Sequence, residues 1–328
     1  MTLIVIIVLL AVAFDFINGF HDTANSIATS ISTKALSPRF AVIYAGVLNF
    51  AGALVWTEVA KSIGGKIADP SKIDNGVEIV MAALISAIAW NLITWYYGIP
   101  SSSSHALIGS LTGAVFAGAG ASGVDWGSFA SIVQALILAP VLAFCLGFLV
   151  MKLLKWIVGN LSPHRVNRWF RFLQIFSAGM QAFTHGGNDA QKAMGILVFA
   201  LVAGGFQTDL EVPLWVKIVA ATAMGIGTSV GGWRIIKTVS SKIIKIEPLN
   251  GFSADLTSSV VVQTATALAL PVSTTHVVSS GIMGTGAAKQ FYRVHWRMAG
   301  RIILTWLITI PICAVLAGLG FWLIDSIF

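Results

Sequence analysis

Long apolar stretches are the feature that most restricts how this chain can fold. The windows Ile132–Met151, Val216–Trp233 and Ile302–Ile324 each approach the roughly 20 residues that a helix needs to cross a bilayer. In hydrocarbon, helices pair all their backbone groups internally. Only 10% of residues are charged, against roughly 25% in soluble domains, and the mean hydropathy is +0.86. The sequence therefore predicts an all-α polytopic membrane protein, and not a soluble protein with buried helices.

Two polar motifs interrupt the apolar sequence, and each of them occurs twice. The Asp motifs are Asn18–Asn25 and His185–Lys192, and the hydroxyl motifs are Pro100–His105 and Pro271–His276. The copies are 167 residues apart for the Asp motifs and 171 for the hydroxyl motifs, close to half of the 328 residues. This repetition predicts two related transmembrane halves, residues 1–160 and 161–328, that build one site together.

Basic residues indicate how the halves are oriented. They are Lys152, Lys155, Arg165, Arg168 and Arg171 at the midpoint and Lys289, Arg293, Arg297 and Arg301 near the end. The positive-inside rule predicts that both groups are cytoplasmic. The equivalent segments Phe129–Met151 and Ile302–Ile324 then run in opposite directions, which predicts inverted-topology repeats with both termini outside. Because these charges flank membrane segments, the net charge of +7 does not indicate nucleic-acid binding.

Helix breaks are predicted beside all four motifs. Gly19 and Gly186-Gly187 are expected to interrupt their helices, and Pro100 and Pro271 suit helix starts with a Ser or Thr cap directly after them. The small-residue runs 109–123 and 279–288 that follow suggest tightly packed half-helices or re-entrant hairpins. Broken backbone at membrane depth is tolerated only where it is buried or lines a cavity, so the motifs predict a site.

Asp22 and Asp189 are the first candidates for function. A carboxylate near the centre of a bilayer costs several kcal/mol and usually has a function, although a structural ion pair or an interfacial position is the plainer alternative. Carboxylate, amide and hydroxyl oxygens together suit a hard cation such as Na⁺. The predicted Na⁺ ligands are Asp22, Asn25, Ser103, Asn188, Asp189 and Thr274.

The hydroxyl motifs have the opposite preference. A helix N-terminus offers free N–H groups and about half a positive charge, which suits an oxyanion such as phosphate. The hydroxyls of 101–104 and 273–275 add further donors. Ordinary N-capping of two helices is the alternative, but two matched caps, each paired with an Asp motif, favour an anion site.

Several polar residues have open roles. Packed, hydrogen-bonded histidines are the favoured interpretation of His105 and His276, and His21 and His185 are undecided. Lys192 either offsets Asp189 or lies near the anion. Further intramembrane acids are expected among Asp15, Glu78 and Asp255, with an N-cap as the default explanation of Asp255.

At these four motifs the sequence resembles the inorganic phosphate transporter (PiT) family of cation-coupled symporters. The matching stretches are Gly19–Asn25, Gly186–Gly195, Pro100–His105 and Pro271–His276. The resemblance covers almost the whole chain. It departs from some eukaryotic members at Asn49, where they carry a Glu, and in the short basic connection that replaces their long central domain.

The resemblance implies phosphate import coupled to Na⁺ or H⁺ by alternating access, with Asp22 and Asp189 as paired acids. The phosphate contacts it implies, together with the hydroxyl motifs, are Asp22, Asn25, Ser102, Ser103, Ser104, Asp189, Gln191, Ser273, Thr274 and Thr275. Na⁺ is the expected coupling ion, no enzymatic cofactor is expected, and the expected location is the prokaryotic plasma (inner) membrane. Whether the protein forms a homo-oligomer stays open.

Two alternatives remain at this point. One is an H⁺-coupled or sulfate-carrying protein of the same fold, because the same donors hold either oxyanion. The other is an intramembrane phosphatase or hydrolase. Ser104 and His105 are adjacent on a helix and do not face each other, and Ser101 with His105 has better spacing but no evident third member.

Overall fold

The computed structural model describes residues 2–327, and this part of the chain is a bundle of twelve α-helices. They are α1 Thr2–Ser32, α2 Pro38–Ala53, α3 Glu58–Lys66, α4 Gly76–Tyr97, α5 Ser103–Ala119, α6 Trp126–Ile157, α7 Pro163–Ala203, α8 Leu214–Val230, α9 Trp233–Ser241, α10 Pro248–Ala267, α11 Thr274–Gln290 and α12 Trp296–Asp325. Short 3₁₀ turns occur at Pro70–Lys72, Ala121–Gly123 and Phe291–Arg293. The all-α prediction is confirmed.

Within residues 2–327, four helices are long and apolar enough to cross a membrane: α1, α4, α6 and α12. The number rises to six if two bent pairs each count as one span, α2 with α3 at 69° and α8 with α9 at 66°. The predicted window Val216–Trp233 is therefore interrupted, because Gly231-Gly232 lies at the second bend.

Helix packing is reciprocal between the two sides of the loop at 158–162. Helix α1 packs against α8 and α9, while α7 packs against α2 and α3. Likewise α5 packs against α12, and α11 packs against α6. Two related halves would produce this exchange of partners. The boundaries 1–160 and 161–328, and the opposite membrane orientation of the halves, stay predictions.

The predicted breaks at the Asp motifs are wrong. Helix α1 runs unbroken through Gly19, and α7 runs unbroken through Gly186-Gly187. A Cβ on Gly19 would lie 2.5 Å from the carbonyl oxygen of Met224, and one on Gly186 would press into the backbone of Asn49. These glycines serve close helix–helix contact, which small residues permit.

The predicted breaks at the hydroxyl motifs are present. Residues 98–102 separate α4 from α5, and residues 268–273 separate α10 from α11. Pro100 and Pro271 each precede the N-cap by two residues, and Ser102 and Ser273 are the caps. The starts of α5 and α11 are buried in the bundle, so their free N–H groups face the protein interior.

We expect Gly19→Ala to destabilise the protein by about 1–3 kcal/mol, because the added methyl group overpacks the contact between α1 and α8. Gly300→Ala is the matched control, since no atom of the part of the chain that the structure describes lies within 4 Å of a Cβ at this exposed position of α12. Thermal unfolding in detergent measures both. Equal melting temperatures for the two variants would contradict the proposed role of Gly19.

Candidate functional site

Asp22 of α1 and Asp189 of α7 meet in the interior of the bundle. The carboxylates are 1% and 0% exposed. One oxygen of each and a ring nitrogen of His185 all lie within 4.8 Å of one another. The acids of the two motif copies, 167 residues apart in the sequence, therefore form one cluster.

The first residues of α5 and α11 bind these carboxylates. The hydroxyl of Ser103 donates to Oδ2 of Asp22 over 2.9 Å, and that of Thr275 donates to Oδ1 over 3.1 Å. Thr274 donates to Oδ2 of Asp189 over 3.1 Å. Asn25 donates to the hydroxyl of Thr275 over 3.0 Å. The structure thus brings these six predicted ligands together, and both halves contribute to the bonds of Asp22.

Lys192 supplies a positive charge to the cluster. Its Nζ lies 2.8 Å from Oδ2 of Asp189 and donates to the hydroxyl of Ser103 over 2.8 Å. The side chain is 2% exposed. A buried carboxylate needs such a partner, since removing one member of a buried ion pair is strongly destabilising. The ion pair with Asp189 fits the first of the two roles predicted for Lys192, and the bond to Ser103 leaves the second role, near the anion, open.

Each of the two acids has a histidine as a neighbour. Nδ1 of His21 lies 2.7 Å from Oδ1 of Asp22, and its Nε2 lies 3.1 Å from the hydroxyl of Thr94. Nε2 of His185 lies 3.5 Å from Oδ2 of Asp189, and its Nδ1 lies 2.7 Å from Oδ1 of Asn49. Thr94 and Asn49 were not predicted as site residues, because their contacts depend on tertiary packing.

His105 and His276 lie in the first turns of α5 and α11, and their rings pack against each other. Their ring centroids are 4.3 Å apart, and Trp306 stacks on His276 with centroids 3.9 Å apart. Nδ1 of His105 lies 2.8 Å from the hydroxyl of Ser102. His105 is packed and hydrogen-bonded, which is the interpretation favoured from the sequence, whereas His276 is packed but its Nε2 has no hydrogen-bond partner within residues 2–327.

Four residues that were predicted to contact phosphate make hydrogen bonds to the protein backbone instead. The hydroxyls of Ser102 and Ser273 accept the backbone N–H groups of His105 and His276 over 3.0 and 3.2 Å. Ser104 donates to the carbonyl of Val272 over 2.8 Å. The fourth is Gln191, which caps another helix.

Gln191 holds the start of α3. Its Oε1 accepts the backbone N–H groups of Val59 and Ala60 over 2.8 and 3.2 Å, and its Nε2 donates to the carbonyl of Gly187 over 2.5 Å. All its polar atoms are thus used by the fold. The predicted Na⁺ ligand Asn188 donates to Thr266 over 2.9 Å, and among the described residues its buried Oδ1 has no hydrogen-bond partner.

Within residues 2–327, the other predicted intramembrane acids make no hydrogen bond to the cluster. Asp255 is inside α10 and accepts hydrogen bonds from Thr29 over 2.7 Å and Ser177 over 3.3 Å. The N-cap interpretation of Asp255 is therefore wrong, and Glu247 caps α10 instead. Asp15 is fully buried in α1, whereas Glu78 is half-buried in the first turn of α4.

Comparisons with known proteins agree with this fold. A family model described as the phosphate transporter family matches residues 18–317. A probable low-affinity inorganic phosphate transporter of Bacillus subtilis is 53% identical over 99% of this chain and 98% of its own length. A relative of the same description from Rhizobium meliloti is 41% identical over 99% of this chain and 97% of its own.

A solved structure described as the sodium-dependent phosphate transporter superposes on the chain with a TM-score of 0.91. The superposition covers 100% of both chains at 24% sequence identity. At this identity the likeness establishes the fold.

We expect Gln191→Leu to lower the stability of the phosphate-free protein by about 1–3 kcal/mol, because two buried N–H groups of α3 lose their acceptor. Thermal unfolding without phosphate measures this effect, with Gln134→Leu on the exposed face of α6 as the control. A Gln191→Leu protein of unchanged stability and weakened phosphate binding would instead restore Gln191 as a ligand.

Proposed function

This chain belongs to the phosphate transporter family, and from that premise we propose that it imports inorganic phosphate by symport with Na⁺ through alternating access. The observation that carries the proposal is the convergence of two buried carboxylates with two hydroxyl-bearing helix starts. The family is one of transporters and not of enzymes. The hydrolase alternative paired Ser101 with His105, whereas the hydroxyl of Ser101 donates to Thr94 over 2.8 Å and lies 3.4 Å from Nε2 of His21.

Electrostatics supports the need for a coupling cation. Carboxylate oxygens of Asp22 and Asp189 lie within 4.8 Å of each other. Two unit charges at that distance repel by about 3 kcal/mol at an effective dielectric constant of roughly 20. A phosphate anion entering the cluster would add to this repulsion. Na⁺ bound to the carboxylates reverses the sign, so cation and anion bind cooperatively.

The ligands proposed for Na⁺ are oxygen atoms, as a hard cation prefers. Asp22 and Asp189 supply carboxylates, and Asn25, Ser103, Asn188 and Thr274 supply neutral oxygens. The likeness to a sodium-dependent transporter of the same fold is in keeping with this choice but does not carry it, since the argument for Na⁺ rests on these ligands.

The phosphate is proposed to bind where α5 and α11 begin. Each helix has 17 residues and begins beside the acids, so its free N–H groups and its dipole favour an oxyanion there. The hydroxyls of Ser103, Thr274 and Thr275 add donors that turn from the carboxylates to the anion once Na⁺ neutralises the carboxylates.

The proposed cycle uses the two halves, 1–160 and 161–328, as inverted repeats that open the site to one side of the membrane at a time. Reciprocal packing of α1 with α8 and of α7 with α2 supports this scheme. The proposal includes a plasma (inner) membrane location, a cytoplasmic basic midpoint and both termini outside.

We expect Asp22→Asn to reduce Na⁺-dependent uptake of labelled phosphate into proteoliposomes at least tenfold, because the variant loses the negative charge that attracts Na⁺. Asp74→Asn in the exposed loop before α4 is the matched control and should transport at the wild-type rate. Full-rate, Na⁺-dependent uptake by Asp22→Asn would overturn the assignment of Asp22.

Imposing the ion gradients separately distinguishes the coupling ions. An inward Na⁺ gradient at uniform pH should drive phosphate accumulation, whereas a pH gradient without Na⁺ should not. Sulfate in tenfold excess should leave uptake nearly unchanged. Phosphate carries a proton that it can donate to a carboxylate, whereas sulfate carries no proton. Accumulation driven by the pH gradient alone, or strong competition by sulfate, would favour the corresponding alternative.

A further inference from the structure

The two Asp motifs differ at one position that lies in the site. Three residues after Asp22 stands Asn25, and three residues after Asp189 stands Lys192. Both side chains reach the starts of the hydroxyl-bearing helices: Asn25 bonds to Thr275 over 3.0 Å, and Lys192 bonds to Ser103 over 2.8 Å. One half therefore supplies an amide where the other supplies an ammonium.

We infer that Lys192 is a built-in cation in the position of one coupling ion, so that a single Na⁺ accompanies each phosphate. The inference rests on the proposed function, since it assigns the number of Na⁺ ions at the same site. It removes the second cation that two carboxylates would otherwise require.

The contacts of Lys192 are those expected of a bound cation. Its Nζ touches only oxygen ligands among the described contacts, at 2.8 Å from both Oδ2 of Asp189 and the hydroxyl of Ser103. The same Oδ2 accepts from Thr274 over 3.1 Å. Asp189, Ser103 and Thr274 are also three of the ligands predicted for Na⁺. The ammonium thus already occupies oxygen atoms that a second Na⁺ would need.

The charge that remains matches one Na⁺. Among the groups joined by these contacts, the carboxylates of Asp22 and Asp189 and the ammonium of Lys192 sum to a single negative charge. The contacts of Asp22 with Ser103 and Thr275 are to neutral hydroxyls, and its third neighbour is the ring of His21. Asp22, which has no ammonium partner within residues 2–327, is therefore the acid that binds the one Na⁺.

The test counts Na⁺ ions directly. Equilibrium binding of ²²Na⁺ to purified protein at saturating phosphate should give one ion per chain, and dual-label flux into proteoliposomes should give one ²²Na⁺ per labelled phosphate. Lys192→Asn, which copies the Asn25 side chain into the other half, should raise both numbers to two and raise the Hill coefficient for Na⁺ from one towards two. Lys192→Arg keeps the charge and should stay at one.

Asn25→Lys is the mirror-image variant. It should abolish stoichiometric ²²Na⁺ binding, because both acids would then have a tethered cation. Two Na⁺ ions per wild-type chain, or the same count in Lys192→Asn as in wild type, would overturn the inference. The number of Na⁺ ions bound per wild-type chain tests the inference even if Lys192→Asn fails to fold. Wild-type phosphate uptake that is indifferent to Na⁺ would reject the proposed function instead, whereas Na⁺-dependent uptake with two ions per phosphate would reject only this inference.

Discussion

The structure depends on how two carboxylates are stabilised in the interior of an apolar helix bundle. Asp22 and Asp189 are buried on α1 and α7, where an unpaired charge would cost several kcal/mol. Their donors come from the starts of α5 and α11 and from Lys192. The breaks before α5 and α11 place the starts of these helices beside the acids. The glycines of α1 and α7 let the neighbouring helices approach closely around the site.

The same arrangement explains why transport would be coupled. Carboxylates favour cations, and helix starts with hydroxyl groups favour an oxyanion, so each component of the site is incomplete alone. The hydroxyls of Ser103, Thr274 and Thr275 now bind carboxylates. A cation on those carboxylates would release the hydroxyls for the anion. In the proposed cycle, binding of one ligand would therefore prepare the site for the other and disfavour a half-loaded carrier.

Much of this site was predictable from the sequence, because duplicated acids and hydroxyls in apolar segments have few structural explanations. The sequence did not reveal the role of Gly19, since a glycine in a helix indicates either a break or a close contact, and only the position of Met224 decides. Gln191 likewise has the chemistry of a ligand but caps α3, which is 132 residues away at Val59. The contact of His185 with Asn49 depends on packing between halves in the same way.

The most direct test of the central claim is the affinity for phosphate with and without Na⁺, measured on the purified protein by equilibrium binding. Coupled sites must affect each other by the same factor. The account predicts that saturating Na⁺ tightens phosphate binding at least tenfold relative to choline at equal ionic strength, and that phosphate tightens Na⁺ binding equally. A phosphate affinity that is the same in Na⁺ and in choline would contradict it.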